Sequence, residues 1–187
     1  GLMVATPHLE TRVSLETFEQ FIALPENANR DFEFIEGKIV EVVSNNYSSL
    51  IASTLNGEIY PFVKKGKLGW LTGADGGYIV MGERYIPDVA FISIAKQPEP
   101  CQEPYNPLPP DLVIEVLSPT NDEEEIRIKI VNYLLAGAVV WLVDPFKKYV
   151  QVFVPNQRPQ TLGIDGVLDG GSVLPGFKLA VKDIFGN

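Results

Sequence analysis

The chain predicts an α/β protein, a mixed central β-sheet flanked by helices with additional β-hairpins, and three stretches carry that prediction. Leu112-Val113-Ile114-Glu115-Val116-Leu117 is a short apolar run between Pro110-Asp111 and Ser118-Pro119, the pattern of a buried strand. Val139-Val140-Trp141-Leu142-Val143 is apolar without interruption, as in sheets covered on both faces. A helix over about 122–136 separates the two.

The remaining elements follow in order. Ser14 is a helix cap for a short helix with Leu15, Phe18 and Ile22 at helical spacing, ending near Pro25. Residues 30–43 read as a hairpin, with Phe32-Glu33-Phe34-Ile35 and Lys38-Ile39-Val40-Glu41-Val42 around the turn Glu36-Gly37. From about Asn46 to Lys65, Ile51, Leu55, Ile59 and Phe62 recur at three- and four-residue steps and predict an amphipathic helix. Residues 73–77 form a glycine-rich turn without the lysine and hydroxyl of a phosphate loop. Tyr78 to Met81 and Ile86 to Ile92 are expected to pair as a second hairpin, and residues 97–110 to be a long connection. Asp122-Glu123-Glu124-Glu125 is an acidic first helical turn favoured by the helix dipole, with Thr120 or Asn121 as cap. Lys148 to Val154 pairs back on the 139–143 strand, and the C-terminal part adds an edge strand and a short closing helix. Residues 1–13 are expected to be a flexible segment and 14–187 a single domain.

At 187 residues a full core is affordable, since roughly 70% of the unfolded surface is buried at this size. No apolar stretch reaches the ~18 residues needed to span a bilayer. A lone Cys101 forms no internal disulfide, so the expected compartment is the cytoplasm, with no membrane partner. His8, the single histidine, lies near the terminus, which disfavours histidine triads and His-ligated zinc. The net charge of −9 argues against passive binding of nucleic acid by counterion release, although a site that gathers carboxylates around a cation is itself acidic.

The chemistry centres on Glu115, because a carboxylate inside an apolar strand must meet a cation, a metal ion or solvent. Strand alternation puts Asp111, Val113, Glu115 and Leu117 on one face. Asp88 opens a second apolar strand, so if the two strands are neighbours both acids converge. Hard oxygen ligands suit Mg²⁺ or Mn²⁺, which polarises a phosphoryl oxygen and lowers the pKa of a bound water. Lys129 falls at the border of the helix face formed by Ile126, Ile130, Tyr133, Leu134 and Gly137, from where its ammonium could reach along the sheet toward the acids. Each residue has a plainer reading too: Asp88 as a strand entry and Lys129 as the partner of the acidic turn. Lys64, Lys65 and Lys67 are either a helix C-terminal cluster or phosphate contacts at a cleft rim.

Pro87-Asp88, then Glu115-Val116-Leu117, Lys129 and Tyr133, Gly137 and Trp141-Leu142-Val143-Asp144-Pro145 together resemble the Uma-type putative restriction endonuclease family of the PD-(D/E)XK nuclease superfamily. The resemblance extends over 30–43 and on to the Leu174-Pro175-Gly176 segment. It implies a restriction-endonuclease-like core and a metal-dependent endonuclease that hydrolyses phosphodiester bonds in DNA. It assigns Asp88 and Glu115 as catalytic metal ligands for Mg²⁺ or Mn²⁺, and a helix-borne Lys129 in place of the usual strand lysine. Glu33, in preference to Glu36, is the further acid, although either fits a hairpin surface charge. Leu117 departs from the pattern, because a lysine is usual two residues after the acid, and Tyr47 departs where relatives carry histidine.

Two other classes remain open. A catalytically weak or inactive nuclease-like domain would act as a dimerising interaction module, with Trp70, Tyr85, Phe91 and Phe153 as candidate surface. A metal phosphohydrolase of small substrates would use the same residues. A homodimer fits duplex cleavage, since paired sites related by a two-fold axis cut both strands.

Overall fold

The structure, a computed structural model, describes residues 11–186. His8 and the first ten residues of the expected flexible segment lie outside the described residues. Ser14 caps α1 (Leu15–Ile22) by accepting a hydrogen bond from Thr17 N. The hairpin of β1 (Phe32–Ile35) and β2 (Lys38–Glu41) follows. Its turn holds Glu36 and Gly37 at φ 48° and 79°, the two left-handed residues that match the twist of a tight hairpin. Asn45 then caps the long helix α2 (Asn46–Gly66), which ends at Lys67 in the left-handed conformation.

The chain continues through β3 (Gly69–Thr72), β4 (Gly77–Val80), β5 (Glu83–Tyr85), β6 (Val89–Ser93), β7 (Tyr105–Asn106) and β8 (Leu112–Val116). Helix α3 (Glu123–Leu135) leads to β9 (Val139–Asp144), β10 (Tyr149–Phe153), β11 (Gln160–Leu162), β12 (Val167–Asp169), β13 (Lys178–Ala180) and α4 (Lys182–Phe185). A six-stranded mixed sheet has the order β11-β10-β9-β8-β6-β3, with β8 and β9 parallel across α3. The hairpins assemble into a second sheet, β2-β1-β5-β4-β7, and β12 pairs with β13 in a separate ribbon.

Burial explains the layering. Ile51, Leu55 and Ile59 of α2 are at most 1% exposed and pack with Trp141, Phe177 and Leu179 on one face of the six-stranded sheet. Each such burial is worth roughly 2 kcal/mol. On the other face, Val113, Val140 and Leu142 meet Ile130 and Tyr133 of α3 together with Ile35, Val80 and Tyr85 of the second sheet. Phe18 of α1 closes over Phe32 and Phe34. The described residues contain no helix long and apolar enough to cross a membrane.

Four expectations are corrected. The segments 78–81 and 86–92 do not pair: β4 pairs with β5, and β6 joins the other sheet beside β3 and β8. Met81 and Gly82, at φ 48° and 79°, turn the chain tightly into Glu83-Arg84-Tyr85. Pro87 then lacks the N–H that would continue a ladder, and there the chain crosses from one sheet to the other. Strand β3 and the short β7 were not expected. Asp122, rather than Thr120 or Asn121, caps α3 by accepting from Glu125 N, while Asn121 accepts from Ser118 N to close the preceding turn. Finally, Tyr85 and Phe91 are buried core residues, at 0% and 1% exposure, which removes these two from the expected docking surface.

Candidate active site

Glu115 lies near the C-terminal end of β8, 6% exposed, on the face turned toward α3. The antiparallel register pairs Val89 of β6 with Ile114 of β8, and one further step puts Asp88 across from Glu115, on the same face. Asp88 Oδ2 accepts from Val116 N at 2.7 Å, which fixes this carboxylate against the end of β8. Glu33 reaches the same place from the second sheet. In β1 its neighbours Phe32 and Phe34 face α1, so alternation turns Glu33 inward. It is 7% exposed, its Oε2 accepting from Ile86 N at 2.7 Å. Glu36 stays exposed near Arg12 and takes no part.

Lys129 joins these groups. Its Nζ stands 2.8 Å from Glu115 Oε2 and 2.8 Å from Glu33 Oε2. The residue is 4% exposed: at the border of the apolar helix face its ammonium reaches the carboxylates, and β1 covers that flank of α3 and encloses the side chain. Asp88, Glu115, Glu33 and Lys129 line one small cleft of about 100 Å³, with Ser118, Asp122 and Glu125 among the residues at its margin.

The charges do not balance. Three carboxylates against one ammonium leave a formal −2 in a poorly hydrated place. Burial pushes the Glu115 carboxyl up to about 8; Lys129 opposes that shift, and Asp88 and Glu33 add to it. Burial likewise raises Asp88, with the Val116 N–H pulling the other way. For Lys129, burial favours the neutral amine, but Glu115 and Glu33 more than offset it and lift the pKa above the ordinary lysine value. The ammonium is therefore the fixed charge of the cluster, and Glu115 is the group that takes up a proton.

The described residues contain no group of three or more acid, thiol or imidazole side chains arranged to hold a metal ion. A pair of acids does meet the chemical demand. Lys129 occupies Glu115 Oε2, while Glu115 Oε1 is buried without any hydrogen-bond partner. A divalent cation held by Asp88 and Glu115 would cancel the formal −2, and hard carboxylate oxygens suit Mg²⁺ or Mn²⁺. Leu117 is half-buried against the α3 side of the sheet, and the cation beside Glu115 is Lys129. Tyr47 packs edge-on to Phe146, at 5.8 Å between ring centroids.

A second unpartnered atom lies nearby. Tyr133 Oη is buried without a hydrogen bond, and burial followed by the Glu115 charge raises its pKa. Because an orphaned hydroxyl contributes only its desolvation cost, Tyr133→Phe is expected to leave stability unchanged or raise it by up to about 1 kcal/mol in urea denaturation. A loss larger than that would mean the hydroxyl has a partner.

A larger cavity of about 760 Å³ lies at the other end of β6, lined by Lys64, Lys67, Trp70 and Cys101. It has the volume of a ligand pocket but none of the clustered acids, so the chemistry points to the smaller cleft. Lys64 and Lys67 belong to that distant end, away from Asp88 and Glu115. Lys64 and Lys65 form the last turn of α2, where cations favour the helix dipole. Sequence reading gave no site role to Tyr85, whose ring faces Lys129 Nζ, or to Glu83 and Asn132, which hydrogen-bond the Tyr85 hydroxyl. The alternation of Glu83 and Tyr85 on one face of β5 is the signal that could have found them.

The family model described as "Uma2: Putative restriction endonuclease" matches residues 18–182. Among solved structures, the chain is similar to the crystal structure of "a putative nuclease belonging to DUF820" from Anabaena variabilis ATCC 29413. The TM-score is 0.78 at 25% sequence identity, over 89% of this chain and 96% of that one. No curated protein matches the chain.

Proposed function

Since the chain belongs to the Uma2 family of putative restriction endonucleases, we propose that it is a Mg²⁺- or Mn²⁺-dependent endonuclease hydrolysing phosphodiester bonds in DNA, with Asp88 and Glu115 as its metal ligands. The observation that carries this reading is the meeting of Asp88, Glu115 and Glu33, three carboxyl groups, with the single ammonium of Lys129 in one cleft.

Each residue has a distinct task. Asp88 and Glu115 would hold the cation, and the Val116 N–H keeps Asp88 from turning away. The chemistry a bound metal would supply there is polarisation of a phosphoryl oxygen and a lowered pKa for water. Lys129 holds Glu115 by Oε2 and leaves Oε1 as the donor atom. An ammonium has three N–H groups, of which Glu115 and Glu33 take two; the third is available to charge developing on the phosphorane. Glu33 keeps the lysine charged and in place, a supporting role, and does not itself bind metal. The chain is cytoplasmic in this reading, and a two-fold homodimer would present two clefts to the two strands of a duplex.

Metal binding is expected to depend on pH in a defined direction. A protonated carboxyl is a poor ligand, so a pKa raised to about 8 at Glu115 weakens binding below that pH. Titration calorimetry with Mn²⁺ should show affinity rising from pH 6 to pH 8.5, with protons released into the buffer. Folded protein giving no metal heat at pH 8.5, and no metal-dependent nicking of supercoiled plasmid, would remove the assignment.

A further inference from the structure

The polar network around Lys129 extends beyond its two carboxylates. Tyr85, fully buried on β5, turns its ring toward the ammonium, with Nζ 5.6 Å from the ring centroid. The ring is itself tethered. Its hydroxyl donates to Glu83 Oε1 and accepts from Asn132 Nδ2 at 2.7 Å, and the same amide reaches Glu83 Oε1 at 3.2 Å. Glu83 Oε2 accepts from Glu36 N at 2.6 Å, which ties the tether to the β1–β2 turn. Tyr133 packs against the ring in a T-shaped arrangement with centroids 5.2 Å apart.

We propose that Tyr85 is a positioning residue for Lys129: its ring face, held by Glu83 and Asn132, keeps the ammonium between Glu115 and Glu33. The physical grounds are direct. A lysine ends in a compact charge on a flexible four-carbon stem, and burial alone does not select one direction for it. An aromatic face attracts a cation through its quadrupole yet offers no lone pair. The ammonium can therefore rest against Tyr85 while its N–H groups point to the carboxylates. Because Asn132 lies three residues after Lys129 on α3, the helix that carries the lysine also carries one anchor of the ring. The consequence for catalysis rests on the nuclease reading given above; the positioning itself does not.

The test uses the full chain, the variants Tyr85→Phe, Tyr85→Leu and Glu83→Gln, and two readouts. Proton–nitrogen NMR of the lysine ammonium groups detects Lys129 only while it is immobilised and shielded from exchange, and it needs no metal or substrate. The Lys129 signal is expected in the wild type, displaced by the ring current of Tyr85. It should persist in Tyr85→Phe, which keeps the ring, and vanish in Tyr85→Leu. Plasmid nicking by Tyr85→Leu should show kcat lowered about tenfold with KM little changed, and Tyr85→Phe should recover most of that loss. Should Tyr85→Leu fail to fold, Glu83→Gln keeps the ring and loosens its tether, and the Lys129 signal should broaden. An unchanged Lys129 signal in folded Tyr85→Leu, or in Glu83→Gln where only that variant folds, overturns the positioning role. If the signal behaves as expected but the wild type cuts no DNA, the nuclease reading fails and the positioning stands.

Discussion

Glu115→Gln is expected to lower metal-dependent nicking by about 10³-fold, equivalent to about 4 kcal/mol of transition-state stabilisation, while the protein stays folded. The amide matches the carboxylate in size and still accepts from Lys129 Nζ, but it is a weak ligand for a hard cation. Its effect on stability runs the other way. A carboxyl whose folded pKa is raised contributes stability that is complete below its unfolded value and is lost as pH climbs through the folded one. For Glu115 that window runs from about 4.5 to about 8. The substituted amide does not titrate there, so thermal melts without metal should favour the variant at pH 8.5 and bring the two proteins together near pH 4.5. Adding Mn²⁺ should reverse the order at pH 8.5, since only the wild type gains binding free energy. Wild-type nicking by the variant would remove Glu115 from the chemistry.

Much of this arrangement was legible because it depends on local periodicity. An acid inside the apolar run 112–117, the uninterrupted strand at 139–143 and the helix between them define the strand–helix–strand unit on which Glu115 and Lys129 sit, and apolar spacing specifies all three. Strand alternation likewise places Glu115 on the face of Val113 without reference to any other part of the chain. What spacing leaves open is which strands become neighbours. Asp88 faces Glu115 only because β6 leaves the hairpin expected for it and crosses beneath the second sheet. Glu33 could equally have been a solvated hairpin charge, since its burial comes from β1 folding over α3. The same cover buries Lys129, which a helical wheel places at a border because it represents one helix and none of its neighbours. Strand β3 escaped notice for a different reason: Gly69-Trp70-Leu71-Thr72 is four residues long and acquires its extended form by pairing with β6. The fold class therefore follows from local pattern, whereas the composition of the cleft follows from tertiary pairing.

Removing the lysine tests that pairing most severely. Lys129→Met keeps most of the buried stem and deletes the one cation, which leaves Glu115 and Glu33 facing each other without compensation. Breaking a buried ion pair from one side costs about 3–5 kcal/mol, because the remaining charges have neither water nor partner. Urea denaturation at pH 8.5 should show a loss of that size with an unchanged slope. The loss should shrink toward pH 5, where Glu115 is protonated in the folded state and the surplus charge falls. Combining Lys129→Met with Glu115→Gln should cost less than the two single effects added, since the second change removes a charge that the first left exposed to repulsion. Mn²⁺ should restore part of the stability of Lys129→Met, as a divalent cation supplies the missing positive charge, yet nicking should stay low because nothing then holds Glu115 by Oε2. Stability and activity would thus separate in one variant. A loss equal at pH 5 and pH 8.5, and indifferent to Mn²⁺, would instead trace the effect to packing of the side chain and leave the excess negative charge without consequence.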